Sequence, residues 1–295
     1  MSLRLHRSDA SSRAAALRGE IRHFPTEILA LVTSAGPWSP AVMAAFALAR
    51  PWDSHVTGCF VDPVLRTLHG VDAEPSVLSL LLELPRDTEG EAEAFETLAR
   101  RCGVEGATWI CAQAGLARSM HQLGAWHDLI VLERDIGNDD GGFELLGEAL
   151  LGCRKPCLVL PPRWDKELAF ERILLAWNGS LEAVRAIHAS LPFLALSREV
   201  VLVDGAAPVL EDDGKVMPYF HPIEHLARHG IAVTRRRIHT SAHEAGDALL
   251  HEAKRMNADL LVMGAYGRSR LRERILGGAT RRVLAQAPLP VLMQH

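Results

Sequence analysis

Two strings decide the fold: HDLIVL at residues 127–132 and ADLLVM at 258–263. Each is an aspartate followed by an aliphatic run of strand length, with none of the alternation expected of a strand wetted on one face. The pairing extends outward from them. EILALVT at 27–33 corresponds to RILLAWN at 172–178, and a helix-length amphipathic segment follows each, at 39–50 and 180–195. A second strand then runs into an aspartate, HVTGCFVD ending at Asp62 and EVVLVD ending at Asp204. LARRCG at 98–103 and LARHG at 226–230 both close a helix on a glycine, the usual left-handed stop. Toward the end of each half, KPCLVLPP at 155–162 answers LPVLMQH at 289–295.

The chain is therefore a tandem repeat. The offset between halves drifts from 145 (Ile28 to Ile173) to 131 (Asp128 to Asp259) and 134 (Pro156 to Pro290), which reflects loops of different length. Aliphatic strands alternating with helices predict two α/β domains, each a five-stranded parallel sheet, doubly wound and flanked by helices. Ligands are expected at the carboxyl ends of the strands. The domains are expected at 25–162 and 168–295, joined through the short polar stretch PPRWDKE at 161–167. Residues 1–24 are Arg- and Ser-rich but carry Asp9 and Glu20, and no apolar stretch follows. They read as an N-terminal tail or short surface helix rather than a targeting segment.

Composition narrows the function classes. At 295 residues and 48% hydrophobic, the chain can fill two cores. A net charge of −4 argues against a nucleic-acid binder. No apolar run reaches the roughly 18 residues of a membrane span. The five cysteines have no disulfide-framework spacing. Cys59 and Cys111 read as core residues, and Cys153 and Cys157 lack the second ligand pair a zinc site needs. A cytoplasmic protein is expected.

The segment GAYGRSRLRERILGGATRRVLAQAPLPVLMQH, 264–295, carries the functional signal. Gly264 and Gly267 end a strand, and Gly277 and Gly278 open a helix. Glycines there let backbone N–H groups approach a phosphate, and the helix start adds orphan donors and a positive dipole end. Arg268, Arg270, Arg272 and Arg274 lie between; with Glu273 among them they either add positive charge to a phosphate site or form a solvated loop. The glycines themselves read either as a phosphate site or as a tight strand-to-helix turn.

The glycine spacing of Gly264, Gly267 and Gly277, set between a strand and a helix and followed by the terminal strand APLPVLM, resembles the universal stress protein family. The resemblance is strong over 170–295 and weak over 25–160. It implies ATP, alone or with magnesium, held by the glycine loop, with adenosine over the ends of the first two strands of the second domain. On that resemblance the site comprises Asn178 and Asp204 near the adenosine, and Gly264, Gly267, Arg268, Gly277, Gly278 and Thr280 around the phosphates. Two positions depart from the family pattern. Gly278 stands where Ser or Thr is usual, leaving Thr280 as the nearest hydroxyl, and Asn178 replaces an acidic residue.

The first domain has lost the device. Glu133 stands where Gly264 stands, followed by Arg134, Asp135 and further acidic residues that repel a triphosphate. No nucleotide is expected there. No GxSxG elbow, Walker loop or HExxH motif occurs, and no general base is in evidence, so the chain reads as a non-enzyme with at most slow ATP hydrolysis. The expectation is a regulatory stress-response protein binding an adenine nucleotide in its second domain. The alternative is a nucleotide-free dimeric interaction scaffold with protein partners. The resemblance also implies pairing across the last strands of the halves, an intramolecular pseudo-dimer, with a further homodimer open. His221, His225 and His229 read as the solvated face of a helix whose apolar face is Ile223, Leu226 and Ala227. Ser180 reads as a helix N-cap, and Trp177 as a core residue.

Overall fold

A computed structural model describes residues 24–62, 88–112, 114–136, 142–205, 221–241, 244–265 and 277–295, with 142–145 described by backbone alone. The chain divides into two compact units after Leu168. The first contains β1 (Glu27–Val32), α1 (Pro40–Trp52), β2 (His55–Phe60), α2 (Thr88–Arg101), β3 (Ala107–Cys111), α3 (Leu116–Gly124), β4 (Leu129–Glu133), α4 (Gly142–Cys153) and β5 (Cys157–Leu160). The second contains β6 (Arg172–Trp177), α5 (Leu181–Leu194), β7 (Glu199–Gly205), α6 (Pro222–Arg228), β8 (Thr234–Ile238), α7 (Ala245–Arg255), β9 (Leu260–Gly264), α8 (Gly278–Gln286) and β10 (Val291–Gln294).

Both units are wound alike. The first orders its strands β3-β2-β1-β4-β5 and the second β8-β7-β6-β9-β10. Every pairing within a unit is parallel. These are the two five-stranded doubly wound sheets the repeat predicts. Ile28 through Val32 are fully buried, as are Ile173 through Leu175. Full burial of such side chains contributes about 1.5–3 kcal/mol each.

The repeated aspartates lie at the opposite end from any ligand crevice, where they tie the start of the fourth strand to the start of the first. Asp128 accepts from the Thr26 N–H (2.9 Å), the Thr26 hydroxyl (2.9 Å) and the Glu27 N–H (3.1 Å). Asp259 accepts from the Arg172 N–H (2.8 Å) and from its guanidinium (3.3 Å). Gly103 and Gly230 do stop their helices in the left-handed region, at φ 78° and 72°.

One sequence reading is corrected here. In α6, Pro222 and Leu226 are buried, Ile223 is half-buried and Ala227 is exposed. His225 turns toward α5, its ring 4.6 Å from that of His188 and 4.8 Å from that of His229. Seven residues make only two turns, so two anchors suffice to hold the helix and the third apolar position falls outside. Burial first, then the neighbouring His188, His229 and Arg228, lower the pKa of His225.

Candidate functional site

In a doubly wound sheet the strand order reverses beside the first strand, and the chain ends diverge there to leave a crevice. In the first unit that point lies between β1 and β4, and in the second between β6 and β9. Register fixes the equivalence. Ala30 pairs with Val131 and Leu175 with Val262, so Glu133 and Gly264 occupy the same place, two residues further along.

The first unit fills this crevice with its own side chain. Glu133 is only 6% exposed. Its carboxylate accepts from the Thr33 hydroxyl (3.3 Å) and faces the start of α1, on the side of the Ala41 N–H and the Ser39 hydroxyl. Burial and then Asp135 push its pKa up, against these donors, which pull it down. The carboxylate is thus an internal anion at a helix N-terminus. Space for it comes from the β1–α1 loop, residues 33–39, four residues longer than 178–180 in the second unit. The longer loop also carries Trp38 onto the sheet. Its ring lies 5.6 Å from Phe95 and 5.4 Å, edge-on, from Trp109. Sequence reading missed this aromatic cluster. Its signal was Gly58 inside β2, where a Cβ would stand 2.6 Å from Phe95 and 2.8 Å from Trp109.

The second unit is built differently. A Cβ on Gly264 would stand 2.6 Å from the Ala183 nitrogen and 2.8 Å from the Glu182 Cβ, so glycine is required for α5 to pack against β9. The start of α5 is satisfied internally. Asn178 accepts from the Ser180 N–H (3.1 Å) across Gly179, at φ 74°, and Ser180 accepts from the Ala183 N–H (3.2 Å). Ser180 is the N-cap its sequence position predicts, and Glu182 adds negative charge in the first turn.

The start of α8 has neither feature. Its N-cap is Gly277, no side chain among the described residues caps it, and no acidic residue lies in its first turn. Among the described residues, a Cβ at Gly278 would meet nothing within 4 Å, and one at Gly277 would meet only the Thr280 hydroxyl, at 4.0 Å. No packing contact among the described residues demands these glycines. By helical geometry the N–H groups of the first turn lack intrahelical acceptors, and Thr280 is buried beneath them, 4% exposed. The arrangement suits an anion approaching the backbone closely.

These geometries set the predicted residues apart. Asn178 ends the switch-point strand, and Asp204 stands in register with Trp177 on the next strand. Asp204 is engaged by Arg235 on β8, whose Nε lies 3.1 Å from its carboxylate. Arg235 was not singled out in the sequence, because only the β7–β8 register sets it beside that strand end. Gly267 and Arg268 lie outside the described residues, as do the other arginines of that loop. Trp177 is half-buried.

Comparison with known proteins agrees with the fold. A model of the universal stress protein family matches residues 169–295. The second half is a universal stress protein domain. Structures of similar length share the fold across the whole chain. A universal stress protein from Archaeoglobus fulgidus DSM 4304 is 16% identical, with a TM-score of 0.59 over 91% of this chain and 95% of its own. A putative universal stress protein from Pseudomonas aeruginosa UCBPP-PA14 is 15% identical, with a TM-score of 0.56 over 92% and 93%. No curated protein matches the chain. The universal stress protein domain and the first unit therefore share one winding, and differ in what stands at the switch point. Among the described residues no helix is long and apolar enough to cross a membrane.

Proposed function

We propose that residues 168–295 bind ATP or a related adenine nucleotide, with magnesium when it is carried by the nucleotide, and that the chain acts in a stress response as a cytoplasmic binding protein without rapid turnover. The observation that carries this reading is the start of α8 where, among the described residues, two glycines are required by no packing contact, no side chain caps the helix and no acid lies in the first turn. The N–H groups of Gly278, Ala279 and Thr280 would meet the phosphates, with Gly267 and Arg268 completing the loop. Asn178 offers its amide to the ribose, and Asp204, steadied by Arg235, lines the adenosine end. The first domain binds no nucleotide on this reading, because the Glu133 carboxylate occupies the helix N-terminus at its switch point.

Titration calorimetry with ATP and magnesium tests it on wild type, Gly277→Asp and Glu133→Ala. Charge-assisted hydrogen bonds contribute roughly 1.5–3 kcal/mol each, so Gly277→Asp should weaken binding by at least about tenfold. Glu133→Ala should leave it unchanged. Absence of heat from the wild type at millimolar ATP leaves the interaction-scaffold reading in its place. Equal binding by Gly277→Asp would move the nucleotide elsewhere.

A further inference from the structure

The end of α4 holds two thiols that nucleotide binding does not use. Cys153 is the last residue of α4 and Cys157 the first of β5, and the turn between them passes through Arg154 at φ 53°. That turn folds the chain back so that the two sulfurs meet at 3.4 Å. Both are buried, at 5% and 1% exposure. Metal binding does not account for the pair, since no third His, Cys, Asp or Glu completes a site among the described residues.

The two thiols are electrostatically unequal. Contact with Cys157 holds the Cys153 thiol below its ordinary pKa, against burial, with help from the backbone N–H and ammonium of Lys155. Contact with Cys153 and burial push Cys157 well up. One sulfur is thus the readier thiolate and the other keeps its proton, the division that a two-step oxidation needs. Cys59, by contrast, is pushed up to about 12 by burial and is the kind of inert core thiol that packing alone explains.

We propose that Cys153 and Cys157 form an oxidisable dithiol that closes to a disulfide when the protein meets hydrogen peroxide. The Cys153 thiolate attacks one peroxide oxygen, the O–O bond breaks, and the departing oxygen leaves as water after taking a proton. Cys153 is left as the sulfenic acid. The Cys157 sulfur then attacks the Cys153 sulfur, the S–S bond forms, and the hydroxyl leaves as a second water with the Cys157 proton. Two electrons pass from the thiols to the peroxide. The sulfurs need close only from contact to the roughly 2.05 Å of a disulfide. The burial of both favours so small an oxidant, and the closed bond would pin the end of α4 to the start of β5.

The full-length protein, folded, is treated with hydrogen peroxide, denatured, and its thiols counted by alkylation and mass. The expected count falls from five to three. Trypsin cuts after Arg154 and not before Pro156, so the peptide ending at Arg154 should stay joined to the one beginning at Lys155 until dithiothreitol is added. In Cys157→Ser, oxidation should stop at a Cys153 sulfenic acid that dimedone traps. Five surviving thiols, a link to Cys59, Cys102 or Cys111, or sulfinic acid appearing at Cys153 as fast in wild type as in Cys157→Ser would each overturn the proposal.

Discussion

The two switch points are the same place in the same winding, and they solve opposite problems. In the first unit a seven-residue loop precedes α1 and Glu133 faces its first turn, so a carboxylate about ninety positions away in the chain stands at the helix start. In the second, three residues bring α5 so close that only glycine fits at 264, and the helix is capped locally by Ser180. Loop length decides which residue type the fourth strand can end on. That residue in turn decides whether the crevice is filled from within.

Transplanting the first unit's solution into the second is the severest test of this contrast. Gly264→Glu sets a Cβ 2.6 Å from the Ala183 backbone nitrogen, where no flexible side chain can yield. It should cost about 3 kcal/mol, at the upper end of overpacking penalties. Calorimetric unfolding of the full chain would show it as a lower midpoint for the second unit. An unchanged transition would mean that α5 is free to withdraw and that loop length is not the constraint.

A smaller effect probes what the units share. Asp128→Ala and Asp259→Ala each remove a carboxylate that ties the first and fourth strands, and each should destabilise its own unit by roughly 1–2 kcal/mol. The pH dependence follows for Asp128. Burial alone would raise its pKa, but the Thr26 and Glu27 donors and Lys155 outweigh it and lower the net value. Its contribution is therefore present above the ordinary carboxylate range and lost as pH falls through the folded pKa. Denaturant melts at descending pH should show the wild type approaching Asp128→Ala; parallel curves would contradict the assignment.

The finest test concerns the filled crevice. The Glu133 pKa is raised, chiefly by burial and Asp135, so folding makes this carboxyl harder to ionise than it is in the unfolded chain. Stability is then lost as pH rises from the ordinary glutamate range through the folded pKa. Glu133→Gln should be the more stable protein near neutral pH, with the gain vanishing in acid. A variant less stable at neutral pH would show that the ionised carboxylate's hydrogen bonds to α1 outweigh its burial.

Much of this was legible beforehand. Burial on both faces requires aliphatic residues at every strand position, so EILALV, RILLAW, HDLIVL and ADLLVM declared parallel strands without any partner being known. Gly103, Gly230 and Ser180 announced helix ends because left-handed geometry and an N-cap acceptor are local demands. Glu133 was visible as the residue that breaks the glycine pattern, with acidic sequence neighbours beside it. That its own carboxylate faces the start of α1 was not visible, since the contact spans about ninety residues. Nor was the difference among the glycines. Gly264 is glycine because Ala183 lies against it, whereas no described residue crowds Gly277 or Gly278.

Sequence by itself determined the repeat, the winding of each half and the stretch that holds the glycine pattern, because these follow from periodicity, chain length and local backbone chemistry. Tertiary structure decided which groups are already spoken for. Arg235 takes Asp204, Glu133 takes the start of α1, and His188 meets His225, all through contacts between elements distant in the chain. The meeting of Cys153 and Cys157 is the local exception: their spacing was in the sequence, but the left-handed turn at Arg154 set the two sulfurs face to face. Such contacts depend on the distances between packed helices and strands, which loop lengths and burial set together and which no single segment records.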